Sequence, residues 1–375
     1  MKIEVLIIPE NYPSDENPVA GIFIKDQIKA LQPFCEISVF NSNPWYRGKY
    51  EQIKDVRFYD FHLFANRLPT ITKPLGYAWW ERQSFRLAKK IHKPDIIHLH
   101  GAAIRGKWVE KLAEYWDIPF VVTEHTGPWS TISGRPRIFA RAKRTLENAA
   151  VVFPVSNHLK QEMIESGVEA KRWEVFGNPV DTELFSLRKT TLASSRNILF
   201  LGRLDDFKGG LRTLKAFHSI AEHIPGYRLT IAGTGNESEV IAKYIVENKL
   251  EQRVEFLNQS FSREEMKVLF DQASFLVFPS LFESFGLVAA EAMATGLPVV
   301  ISDRTGPRDF TNPQFGIAIN PESIEEIGSA IKKMVDEMDD YSPLEIREFI
   351  KRKFGIEEYA QKVVRTYMSL HKQRE

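Results

Sequence analysis

The chain has 375 residues, 43% hydrophobic and 26% charged, which describes a soluble globular protein too long for one ordinary core. Its net charge of +1 (+5 over residues 1–190, −4 over the remainder) is too mild for a nucleic-acid partner and modest for a membrane surface. Cys35 is the only cysteine, which excludes a disulfide framework and a thiolate metal site, no apolar run reaches the ~18–20 residues of a membrane span, and the acidic start Met1–Pro9 reads as a strand rather than a signal peptide, so the cytoplasm is the default.

Short apolar runs alternate with helical stretches. Strands are predicted at Glu4–Ile8, Glu36–Phe40, Val56–Phe61, Asp95–His98, Phe120–Thr123 and Val151–Val155. Helices are predicted at Gly21–Leu31, Tyr77–Ile91, Ala102–Tyr115, Arg137–Ala149 and Asn157–Ser166. Leu187–Arg196 is polar and reads as a linker, after which the rhythm restarts with strands at Asn197–Leu201, Arg228–Ala232 and Val254–Leu257. Helices at Leu211–Ile224, Glu237–Asn248 and Arg263–Gln272 separate them. Alternating βα units predict an α/β chain of two Rossmann-like domains, 1–190 and 195–355, with mostly parallel sheets that bind ligands at the strands' carboxyl ends.

The most informative stretch is Phe278–Val300. Ser274–Phe278 is a buried strand, Pro279–Ser284 a loop, Phe285–Thr295 a helix stopped by Gly296 and Pro298, and Val299–Ser302 the next strand. The free N–H groups of a helix start favour an anion. Glu283 lies just before that start and Glu291 about two turns inside. Carboxylates accept hydrogen bonds from sugar hydroxyls, so a phosphate at the N–H groups with sugars on either side suits the site. A buried βα unit, with one Glu as cap and the other solvated, fits the same pattern.

Phe-Glu-Ser-Phe-Gly-Leu (282–287) and Glu-Ala-Met-Ala-Thr-Gly-Leu-Pro-Val-Val (291–300) resemble the Glu-x7-Glu signature of retaining glycosyltransferases of family 4, which have the GT-B fold. The resemblance is densest over Asn197–Val300 and thinner before Asp95. It implies two domains facing each other across a cleft, with a final helix, 356–372, crossing back onto the first. It also implies a nucleoside-diphosphate sugar as donor, bound with no cofactor and no metal, and a sugar, glycolipid or lipid-linked acceptor. In that reading Ser284, Phe285, Gly286 and Leu287 meet the donor beside Glu283, while Glu291 takes the ribose. Two alternatives are a non-catalytic nucleotide-sugar-binding partner of another transferase, and a GT-B-like epimerase or phosphorylase.

Other residues follow from position. Arg203 and Lys208, in a glycine-containing loop after Asn197–Leu201, suit a diphosphate, and the loop is similar to the family's Gly-Arg-Leu…Lys-Gly motif. Gly233 and Gly235, followed by Glu237, form either a tight turn or the family's nucleotide-side Gly-x-Gly-x-Glu. His125 ends a strand where the family places a histidine near the sugar; His98 and His100 are read as facing opposite ways and mainly structural, His100 a distant candidate. Gly21 closes a loop after the first strand that in the family approaches the donor phosphate, although relatives often carry a glycine pair there. Ser302–Asp309 is similar to the family's Gly-Gly-Pro segment near the base, with Thr305 in place of one glycine, and Arg308 is read as a surface charge in preference to a ligand. The aromatic, basic helix bearing Trp79 and Trp80, with Trp45-Tyr46-Arg47, fits packing on the sheet better than peripheral contact with the membrane's inner face.

Overall fold

The computed structural model describes residues 2–17, 20–42, 49–61, 73–189 and 191–373. Two compact units divide them: residues 1–179 with 356–375, and residues 180–355. Trp45, Tyr46 and Arg47 lie outside the described residues.

In the first unit the apolar runs become six parallel strands: β1 (Ile3–Ile8), β2 (Cys35–Asn41), β3 (Arg57–Asp60), β4 (Ile96–His100), β5 (Phe120–Glu124) and β6 (Val151–Pro154). Their order is β3-β2-β1-β4-β5-β6. Every residue of β4, β5 and β6 is buried, the mark of strands covered on both faces. The covering helices are α1 (Ile22–Leu31), α2 (Lys73–Ala88), α3 (Ala102–Trp116), the short α4 (Ser130–Ser133), α5 (Pro136–Asn148) and α6 (Asn157–Glu165). Local chemistry sets their starts: Pro136 occupies the first position of α5, and the Ser156 hydroxyl accepts from the Leu159 N–H at 3.0 Å to cap α6.

The second unit begins with the short α7 (Leu192–Ser195) and runs β7 (Asn197–Leu201), α8 (Gly210–Ile220), β8 (Arg228–Ala232), α9 (Ser238–Glu247), β9 (Val254–Leu257) and α10 (Arg263–Gln272). It continues with β10 (Phe275–Phe278), α11 (Leu287–Ala294), β11 (Val299–Ser302), β12 (Gly316–Ile319), α12 (Ile324–Asp336) and α13 (Pro343–Phe354). Its order, β12-β11-β10-β7-β8-β9, is again the Rossmann winding. In each unit the winding reverses beside the first strand, between β1 and β4 and between β7 and β10. Such a reversal opens a crevice at the strands' carboxyl ends.

The last helix, α14 (Ile356–Lys372), belongs to the first unit and places Tyr359, Ala360, Val363 and Tyr367 in one core with Val5, Ile7 and Val39. The boundary falls at residue 179 rather than within 187–196. Arg188, within that polar stretch, is buried. Its guanidinium donates to Ala273 O at 2.6 Å and its N–H to Thr295 O at 3.0 Å. Ser195 Oγ at 3.0 Å and Asp271 O at 3.2 Å accept from the same guanidinium, all inside the second unit.

Candidate active site

At the β7/β10 reversal two loops are bound to each other. The first, residues 202–209, leaves β7; the second, 279–286, leaves β10 and enters α11. The Leu281 N–H donates to Phe207 O at 2.7 Å, and the Arg212 guanidinium donates to Pro279 O at 3.1 Å. Across this seam Lys208 and Glu283 form an ion pair, each side chain 17% exposed. The Lys208 ammonium also lies 5.4 Å from the Phe278 ring and 5.5 Å from the Phe207 ring. Arg203 is the opposite case. Its side chain is 71% exposed, tethered at its guanidinium by the buried Asp205 and resting 5.8 Å from the Phe207 ring. Two cations therefore flank Phe207, one seated and one reaching outward.

The two glycines after β8 act through backbone contact. A Cβ on Gly233 would stand 1.8 Å from Gly202 O, and one on Gly235 2.4 Å from Leu204 O. The closeness lets Leu204 N–H bond Thr234 O and Glu237 N–H bond Leu204 O, both at 2.8 Å. They hold the turn that presents Arg203. Burial, then Asp206, pushes the Glu237 carboxyl above its ordinary range, with Arg212 opposing.

The start of α11 is set by Gly286, whose φ of 87° is left-handed and whose missing Cβ would lie 2.3 Å from Pro307 Cγ. Gly306 N–H donates to Glu283 O at 2.8 Å, so the loop after β11 supports the one before α11. Phe285 points into the core against Phe310 and Phe354, at 5.4 and 5.1 Å, leaving its backbone for the site. Ser284 and Leu287 are half-buried. The N–H groups of Leu287, Val288 and Ala289 have no intrahelical acceptor at this helix start. Arg308 is exposed and donates to Asp303 O at 3.1 Å, as a surface charge does. Glu291 is 5% exposed and accepts from the Arg263 guanidinium at 2.7 Å. Sequence reading missed Arg263, whose partner stands 28 residues away on another helix.

In the first unit, His125 follows β5 and its Nε2 lies 3.2 Å from His100 Nδ1. His100 stacks on His98 with ring centroids 4.4 Å apart. The expectation that these two face opposite ways is corrected: residues two apart on a strand share a face. His98 is closed off by Tyr367 Oη at 2.5 Å and Thr123 Oγ1 at 2.6 Å. Burial holds the His98 imidazole down at about 3; burial and then His98 do the same to His125, at about 3. His100 lies well below the usual range through burial, then His98 and His125. All three are neutral at ordinary pH.

Gly21 has a φ of 66° at the start of α1, where a Cβ would meet Asn11 O at 2.3 Å. Trp80 is fully buried and Trp79 is 47% exposed, so the helix that carries them splits its aromatics between core and surface. Glu10 was also missed, although it follows β1 directly. Its carboxylate fills the space left by Gly101, whose Cβ would be 2.1 Å from Glu10 Oε2. Burial and then Glu124 push it up to about 7, against Arg105. Among the described residues no helix is long and apolar enough to cross a membrane.

Two family profiles match consecutive parts of the chain: Glycosyltransferase Family 4 over residues 20–184, and Glycosyl transferases group 1 over residues 186–348. The chain is 24% identical over 298 residues to a glycogen synthase of Mycobacterium tuberculosis, covering 73% of this chain and 69% of that one. It is 29% identical over 251 residues to the GDP-mannose:cellobiosyl-diphosphopolyprenol alpha-mannosyltransferase of Xanthomonas campestris, 65% of each. Among solved structures, sucrose-phosphate synthase from Thermosynechococcus elongatus superposes with a TM-score of 0.77 at 20% identity, covering 99% of this chain and 100% of that one. HepE of Anabaena, in complex with UDP and glucose, gives 0.74 at 16%, covering 98% and 100%. With both profiles in register and this architecture, the chain belongs to glycosyltransferase family 4 and is a glycosyltransferase of the GT-B fold.

Proposed function

We propose that this glycosyltransferase moves a sugar, with retention and without a metal ion, from a nucleoside-diphosphate sugar to a hydroxyl of a sugar, glycolipid or lipid-linked acceptor in polysaccharide or glycoconjugate synthesis. The observation that carries the reading is the seam at the β7/β10 reversal, where Lys208, Arg203 and the start of α11 lie beside two carboxylates. Lys208 and Arg203 take the diphosphate, supplying charge that a divalent cation supplies elsewhere. Glu283 and the 284–287 backbone take the sugar hydroxyls, and Glu291 takes the ribose. Gly233 and Gly235 keep backbone close to the donor, and the family resemblance assigns Gly21 to its phosphate. The family resemblance assigns His125 to the sugar.

The sugar C1–phosphate oxygen bond breaks while the acceptor oxygen bonds C1 from the same face. The departing phosphate oxygen takes the acceptor's proton, so no side-chain nucleophile is needed. A solved relative bound to UDP-glucose supports the donor class, and the Xanthomonas enzyme's lipid-linked acceptor supports the acceptor class.

Thermal-shift measurements with a panel of nucleotide sugars test this in wild type and in an Arg203→Ala/Lys208→Ala variant. A ligand at ~100 times its dissociation constant adds about 2.7 kcal/mol. A hit lost in the variant supports the diphosphate assignment; an unchanged shift in the variant sinks it. Turnover that falls in EDTA and returns with a divalent ion removes the metal-free claim.

A further inference from the structure

Glu291 is nearly fully buried, and a carboxylate taken out of water is costly unless its charge is met. Arg263 meets it, and three features fix the arginine. At its base, α10 begins with a reciprocal cap: the Ser262 N–H donates to Glu265 Oε2 at 2.7 Å and the Glu265 N–H to Ser262 Oγ at 3.2 Å. Along its plane, the guanidinium lies 5.2 Å from the ring of Phe185, which is itself buried against Phe270. At its tip, Nη2 reaches Glu291 Oε1. A mobile surface pair has none of these restraints. Replacing a buried ion pair by apolar side chains is often neutral for stability, so folding alone does not call for this pair.

We infer that Arg263 is a positioning residue for the donor: it holds the Glu291 carboxyl fixed in place as the acceptor for a vicinal diol. The inference rests on the assignment of Glu291 to the ribose. The pairing reaches across two helices, so the preference for a ribonucleotide depends on the geometry of α10 as well as on α11.

Calorimetric titration of the full chain with UDP, GDP and ADP, and with their 2′,3′-dideoxy counterparts, tests it. In wild type, the nucleotide that binds should do so about tenfold or more tightly than its dideoxy form, since hydrogen bonds to a charged group are worth about 1.5–3 kcal/mol. Arg263→Gln should remove most of that preference while leaving dideoxy affinity within about twofold. Arg263→Lys, which keeps charge but not the planar fork, should restore part of it. The inference is overturned if Arg263→Gln keeps the full preference while Glu291→Gln loses it; the donor reading then stands. It is equally overturned if dideoxy affinity falls in parallel, a structural role, or if ribonucleotide affinity rises, a pair that the ribose must break. If Glu291→Gln keeps the preference, the ribose assignment fails and this inference with it. If no nucleotide binds wild type, the donor reading itself fails.

Discussion

Gly233 lets the turns after β7 and β8 touch, and a methyl group there would stand 1.8 Å from a backbone oxygen at a φ of 143°. Gly233→Ala should therefore cost on the order of 3 kcal/mol, read as a lower urea midpoint, and displace the turn that carries Arg203. An unchanged midpoint would show that the two turns separate freely. Glu10 makes a pH-dependent statement. Its folded-state pKa is raised from 4.5 to about 7, so folding favours the protonated acid. That contribution is complete below 4.5 and is lost as pH rises through about 7. Glu10→Gln should raise the melting point at about pH 8.5 and leave it nearly unchanged at about pH 5. Equal shifts at both would contradict an acid that the fold favours in its neutral form. The places of Arg203, Lys208, Glu283 and Glu291 in the fold were legible because each sits at a fixed step from a strand end or helix start. Arg263 was not, because a partner 28 residues away leaves no local trace. The histidine stack was misread through strand parity alone.

The elements themselves were mostly written in the βα rhythm, since continuous apolar runs have one use in a doubly covered sheet. Between Asp309 and the final helix no element is assigned from the sequence. Yet Ile324, Ile327, Ile331 and Met334 recur at helical spacing behind Ser323, whose hydroxyl accepts from the Glu326 N–H at 3.1 Å, so α12 was there to be read. The return of α14 to the first unit follows the family resemblance and not periodicity: an amphipathic helix states which face it buries, not where. What fixes it includes Tyr367, whose hydroxyl meets His98 Nδ1. Tyr367→Phe keeps the ring and leaves that nitrogen without its partner. The expected loss is about 1–3 kcal/mol by chemical denaturation, far above what a methyl-sized change on an exposed helix face would produce. A loss near zero would mean that water replaces the hydroxyl.

Across the whole molecule, two sheets of one winding carry different burdens. The first unit holds three neutral imidazoles in a row, His98 and His100 buried and His125 half-buried, and each is depressed below its ordinary 6.5. A base depressed in the fold stabilises fully above 6.5, and that stability is lost as pH falls towards about 3. Glu10 opposes the trend with one proton between 4.5 and 7. With three protons against one, stability should fall by up to roughly 3 kcal/mol per pH unit below 6.5, read from urea midpoints at successive pH values. A flat profile between about pH 6.5 and 4.5 would show that the histidines protonate without unfolding.

Val180 bridges Gly355, and its N–H donates to Phe354 O at 2.8 Å, so the second unit begins and ends at the same place. Topologically it is a cassette, inserted into the first unit between residue 179 and α14. A stretch whose two ends adjoin can be excised, duplicated or exchanged for a related one in a single recombination event, without re-threading its host. The second unit can therefore be inherited as a separable module, while the first must keep its last helix even though the chain reaches it only after the cassette is finished.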